Sequence, residues 1–79
     1  MKLEEVIGDV LKRYRKSAGL SQEELALRCD LDRTYISLLE RGKRRATVHT
    51  IFTICDQLKV KPSNFITEVE GILLKNEEI

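Results

Sequence analysis

Apolar residues recur along this chain at helical spacing. Leu3, Ile7, Val10, Leu11 and Tyr14 keep the i, i+3, i+4, i+7 rhythm of one helix face. That rhythm predicts a first helix over residues 3–17, stopped by Gly19, as a glycine just past a helix end does. Ser21-Gln22-Glu23-Glu24 has the form of a capping box, with Leu20 before it as a hydrophobic staple. It opens a short second helix that ends near Cys29. Asp30 and Leu31 form a tight turn, and Asp32 caps a third helix from residue 33 to about 41. Tyr35, Ile36 and Leu39 are its narrow buried stripe, and Gly42 ends it. After a basic loop, Thr47 caps a fourth helix running to Leu58. Val48, Ile51, Phe52, Cys55 and Leu58 form its apolar face, and Ile54 lies off that face. Pro62 or Ser63 opens a fifth helix, striped by Phe65, Ile66, Val69, Ile72 and Leu73. Residues 75–79 are expected to fray. The pattern therefore predicts an all-α, five-helix domain spanning residues 1–79.

Composition narrows the function. A chain of 79 residues buries only about 60% of its unfolded surface, so a domain this small needs an additional source of stability. Cys29 and Cys55 stand in no metal-ligand spacing and read best as reduced core thiols, with a disulfide as the less favoured alternative. His49 is the single histidine, which excludes a His-rich metal site. No metal or cofactor is expected, and oligomerisation is left as the stabilising device. No apolar run approaches the ~20 residues that span a bilayer. The charged N-terminal stretch does not read as a signal peptide, so a cytoplasmic protein is expected. The net charge of +1 hides an asymmetry: residues 12–45 sum to +5 and each flank to −2. A basic middle between acidic ends points to one positive face and a nucleic-acid partner.

A short helix, a tight turn and a second short helix are what is needed to place one helix in a DNA groove while the other braces it across the backbone. The residue types sharpen the reading. L-S-Q-E-E-L-A at 20–26 and L-D-R-T-Y-I-S-L-L-E-R-G-K at 31–43 resemble the Cro/C1-type (XRE) helix-turn-helix family over about residues 7–66. D-R-T-Y-I-S followed by E-R-G-K-R resembles, more narrowly, the controller proteins of restriction–modification systems. The resemblance implies a lambda-repressor-like bundle with its helix-turn-helix at about 21–41 and a dimerisation helix at about 62–75. It implies a homodimeric transcriptional regulator on a palindromic double-stranded operator, in the bacterial cytoplasm at the nucleoid. RNA polymerase is a further candidate partner, and no small-molecule ligand is expected. The chain departs from the family at Asp30, where glycine is usual. Aspartate tolerates the left-handed conformation better than most residues.

Side-chain chemistry assigns roles within that frame. Arg33, Thr34 and Tyr35 fall in the first turn of the third helix, the part that enters the major groove. Arg33 is suited to donate two hydrogen bonds to guanine O6 and N7. Thr34 is suited to a thymine methyl or base edge, and Tyr35 to a thymine and a phosphate. Ser37 is a phosphate candidate, and Leu38 lies a turn along. Gln22, at the first position of the second helix, can bond a phosphate oxygen together with the first-turn N–H groups; the matching glutamine does so in the family. Lys43 and Arg45 are expected on the DNA backbone. The resemblance makes Arg44 the best candidate for an additional base contact, and Arg41 could join either set. Arg15 and Glu40 match a family pair that forms a structural salt bridge between the first and third helices.

A single recognition helix reads only a few base pairs, whereas a two-fold dimer reads half-sites about 34 Å apart. Ile54, Val69, Ile72 and Leu73 are the expected interface, with Phe65 and Ile66 inside. An enzyme is disfavoured: the sequence shows no paired catalytic carboxylates, no Gly-rich phosphate loop and no Cys–His motif. The competing reading is an antitoxin that also binds a toxin. The few residues beyond the fifth helix argue against it, and Gln22, Arg33 and residues 43–45 argue against a module that has lost DNA binding.

Overall fold

A computed structural model describes residues 1–76 of the chain, and the end of the tail expected to fray, residues 77–79, lies outside them. Among the described residues there are five helices and no strands: α1 (Leu3–Ser17), α2 (Gln22–Cys29), α3 (Arg33–Glu40), α4 (Val48–Leu58) and α5 (Pro62–Lys75). No helix among them is long and apolar enough to cross a membrane. α1 packs on α3 and α5, α2 on α3 and α4, and α4 on α5.

The predicted punctuation forms. Ser21 Oγ accepts the Glu24 N–H at 3.0 Å, and the Ser21 N–H donates back to the Glu24 carboxylate at 2.8 Å. That doubly bonded serine holds the Glu24 carboxyl below its usual range. Asp32 accepts the Thr34 N–H at 2.8 Å, and Thr47 accepts the Thr50 N–H at 3.0 Å. Pro62 occupies the first helical position of α5, where its missing N–H is no loss. Asp30 adopts φ 55°, ψ 43°, so the turn is made in the left-handed conformation that its family departure put at issue. The Leu31 N–H then closes the helix end on the Ala26 carbonyl at 2.9 Å.

The core runs between all five helices, with Val6, Val10, Leu25, Ile36 and Cys55 fully covered. α1 approaches α3 closely at Gly8. A Cβ there would lie 2.4 Å from the Leu39 carbonyl oxygen and 2.7 Å from that of Glu40. Glycine is therefore needed for contact between backbones rather than for an unusual φ. Both thiols are free and buried.

The faces of α4 and α5 differ from the expectation. Ile54 is 3% exposed, whereas Val48 and Phe52 are 72% and 57% exposed. The buried arc of α4 is centred on Ile51 and Leu58, rotated by about 45° from the face read off the pattern. On α5, Val69 and Leu73 are buried and Ile72 half-buried, while Ile66 is 46% exposed. The residues expected to meet a partner are thus largely consumed by the chain's own core. Phe65 is inside, as expected, stacked on Tyr14 of α1 with ring centroids 6.0 Å apart. Beside it, the Tyr14 hydroxyl donates to Glu68, which also accepts from Arg13 at 3.3 Å.

Candidate nucleic-acid interface

α3 divides along its length. Ile36, Leu39 and Glu40 are buried, and Tyr35 is half-buried against the core. The opposite side carries Arg33 and Thr34, both exposed, and the half-exposed Ser37 and Leu38. Arg33, Thr34 and Ser37 line one shallow depression. At about 100° per residue, Arg41 falls between Ser37 and Leu38 on the same side, and it too is exposed. One helix face thus offers a forked donor at each end, with two hydroxyls and a leucine between. Tyr35 sits at its margin, its ring committed partly to packing.

The basic loop is aimed by the end of α3. Gly42 takes φ 70°, and the Gly42 and Lys43 N–H groups return to the Leu39 and Leu38 carbonyls at 3.1 and 2.9 Å. This closure satisfies the last carbonyls and sends Lys43, Arg44 and Arg45 outward, all three exposed. An eight-residue helix is about 12 Å long, so these cations stand about that far from Arg33. Arg45 leans toward Glu4 of α1, Nε to carboxylate 3.7 Å, with its side chain 90% exposed. A pair so exposed is worth little and does not hold Arg45 away from a phosphate.

Beneath this face lies a polar joint. Arg15 grips Glu40 with two parallel bonds, Nε to Oε2 at 2.5 Å and Nη2 to Oε1 at 2.9 Å, and its Nη1 donates to the Leu20 carbonyl at 2.8 Å. The Glu40 hydrogen bond raises the Arg15 pKa against the desolvation that lowers it. The joint ties α1 to α3, as the sequence reading expected. Gln22 joins it: its Nε2 donates to Glu40 Oε1 at 3.0 Å. The glutamine expected to meet a phosphate is therefore half-buried and anchored at its amide. That contact was not foreseen. Arg41, which the sequence left open to either set, stands at the C-cap of α3 beside the exposed face. The role of Gly8 was missed; a glycine in mid-helix, at a cost of about 1 kcal/mol, was the available signal.

Of the exposed apolar residues, Leu3 and Ile66 lie along one groove, whereas Leu27, Val48, Phe52 and Leu74 stand outside it. Leu3, Ile7, Ala46, Ile51 and Ile66 border an open groove of about 460 Å³ floored by Val69 and Leu73. Leu3 and Ile66, at 50% and 46% exposed, are its rims.

Residues 11–65 match the Helix-turn-helix family. The chain is 40% identical over 62 residues to Control protein C.BamHI of Bacillus amyloliquefaciens, covering 77% of this chain and 76% of that protein. It is 35% identical over 78 residues to Control protein C.SmaI of Serratia marcescens, covering 99% and 89%. Among solved structures, it superposes with a TM-score of 0.83 on the restriction–modification controller protein C.Esp1396I, seen as a tetramer in complex with its natural 35 base-pair operator. That match is 34% identical and covers 94% of this chain and 97% of the other.

Proposed function

The chain belongs to the helix-turn-helix family and is a DNA-binding regulator homologous to restriction–modification controller proteins; from that premise we propose that it is itself such a controller, reading a palindromic operator as a homodimer. The observation that carries the reading is the α3 face, where Arg33, Thr34 and Ser37 lie together and exposed. Arg33 and Thr34 contact base edges in the major groove, with Arg44 as a further base contact and Tyr35 at the margin. Gln22, Ser37, Lys43 and Arg45 hold phosphates. Arg41, on the same face, joins them at its far end.

The homodimer is supported by the controller protein that sits as a tetramer on its operator. In this reading the interface in this chain is the groove rimmed by Leu3 and Ile66 and floored by Val69 and Leu73, with Ile54 buried in the core. An apolar groove left open in a chain with so small a core is the surface that association would cover. RNA polymerase is a second partner in this reading, as expected of a regulator bound beside a promoter.

Selection of bound duplexes from a random DNA pool tests the proposal. A palindrome with half-sites about one helical turn apart is expected. Arg33→Ala should then cost about 1–3 kcal/mol and relax selectivity at one position per half-site. An unstructured pool of bound sequences, or equal loss on every sequence, would refute base reading by α3.

A further inference from the structure

Gln22 meets the buried joint in a way that determines how it can meet DNA. The Glu40 side chain is 2% exposed and engaged by Nε and Nη2 of Arg15. An ionised carboxylate accepts hydrogen bonds and donates none. It therefore selects the nitrogen end of the Gln22 carboxamide, which donates to it at 3.0 Å. An amide nitrogen carries two N–H groups splayed by about 120°. With one of them held by Glu40, the other is directed away from the buried joint, and Gln22 is itself half-exposed.

The orientation matters because of what surrounds it. The first turn of α2 carries Glu23 and Glu24, both exposed and both of the same sign as a phosphate. A Gln22 amide turned oxygen-outward would add a third acceptor there. Turned nitrogen-outward, it supplies a donor beside them. We propose that Glu40 is a positioning residue for DNA binding: it holds one Nε2–H of Gln22 so that the second is presented to a backbone phosphate. The proposal rests on the reading of Gln22 as a phosphate contact. It gives the Arg15–Glu40 pair a part in binding besides joining two helices, although neither residue touches the DNA. An amide fixed before DNA arrives has less rotamer freedom to lose on binding.

Because a phosphate contact is independent of sequence, a mixed-sequence duplex of about 30 base pairs serves as the probe, titrated by fluorescence anisotropy at low salt. Gln22→Ala should weaken binding by at least about tenfold, the scale of one charge-assisted hydrogen bond. Glu40→Gln, which keeps the side chain's size but no longer selects the amide's nitrogen, should weaken binding to a similar extent. In the Gln22→Ala background the same change should have almost no further effect. Equal loss in both backgrounds would mean that Glu40 acts only on the fold and would overturn the proposal. A Gln22→Ala protein that binds like the wild type would remove the phosphate contact itself, a separate failure recognisable without Glu40→Gln.

If Glu40→Gln does not fold, the unaltered protein gives the answer by NMR. One Gln22 side-chain amide proton should be protected from exchange in the free protein and stay protected when the duplex is added. Loss of that protection on binding would show that Gln22 leaves Glu40 to reach the strand, and the proposal would be wrong.

Discussion

Replacing Gly8 with alanine adds one methyl group at the tightest point between α1 and α3. The added carbon would lie 2.4 Å from the Leu39 carbonyl oxygen and 2.7 Å from that of Glu40. Both are backbone atoms at the end of a capped helix, so neither can rotate aside. Relief requires α1 and α3 to separate by about 1 Å, which opens the packing between them; forced insertions of this kind cost about 1–3 kcal/mol. Alanine also returns up to about 1 kcal/mol of helix propensity. With the steric cost at the top of its range, the net loss is about 2 kcal/mol. For a domain of this size that lowers the melting temperature by about 8–16 °C. Gly71 supplies the control, because it lies exposed within α5 and a Cβ there meets nothing within 4 Å. Gly71→Ala should raise the melting temperature by a few degrees through propensity alone. Both variants are compared by circular dichroism at one protein concentration, since association would make melting concentration-dependent. The same chemical change should thus act in opposite directions at two helical glycines. Gly8→Ala melting at or above the wild-type temperature would refute the close approach of the two backbones.

Three further outcomes follow from the burial pattern. Glu40→Ala strands the Arg15 guanidinium, whose side chain is 9% exposed, and should cost about 3–5 kcal/mol in urea unfolding; a loss below about 1 kcal/mol would make the pair incidental. Ile66→Asp, at a groove rim, should give monomers of unchanged helicity by sedimentation, whereas Val69→Asp, buried in the core, should unfold the chain; a persistent dimer of Ile66→Asp would place the interface elsewhere. Burial pushes the Cys55 thiol up to about 11, and burial with the neighbouring Asp56 charge pushes Cys29 up. Both thiols should stay protonated and react slowly with a disulfide reagent at pH 8, and rapidly in denaturant. Because the folded value is raised, the stability linked to Cys55 is complete below the ordinary thiol range and is lost as pH rises through about 11. Prompt reaction of both thiols in the native protein would contradict their burial.

What the sequence made legible was whatever is local. Helix limits follow from the capping box at Ser21, the caps Asp32 and Thr47, and Pro62, each acting within a few residues of itself. The composition of the α3 face was legible too, because an eight-residue helix with Ile36 and Leu39 inward leaves Arg33, Thr34 and Ser37 outward. The faces of α4 and α5 were harder. Each carries more apolar residues than one core-facing stripe requires, so periodicity alone does not say which edge of a wide stripe is covered. Val48 and Phe52 fit the helical rhythm as well as Ile54 does; only the positions of α2 and α5 decide among them. Gln22 was assigned by type and position, and its tether to Glu40, eighteen residues away, belongs to tertiary structure.

The reading helix cannot hold its own geometry. Isolated helices shorter than about 12–15 residues are marginal in water, and α3 has eight residues. Its shape and direction are imposed from outside. The Asp32 cap fixes its first turn, and Gly8 lets its last carbonyls sit against α1. Arg15 holds Glu40 from the same side. The left-handed Asp30, a conformation costing roughly 1–2 kcal/mol for a residue with a Cβ, lets the turn from α2 close on Ala26. On the proposed reading, the exposed residues that would choose a DNA sequence are therefore separable from those that aim them: substituting Arg33 or Thr34 should change which site is read, while substituting Gly8, Arg15 or Asp30 should change whether any site is met squarely.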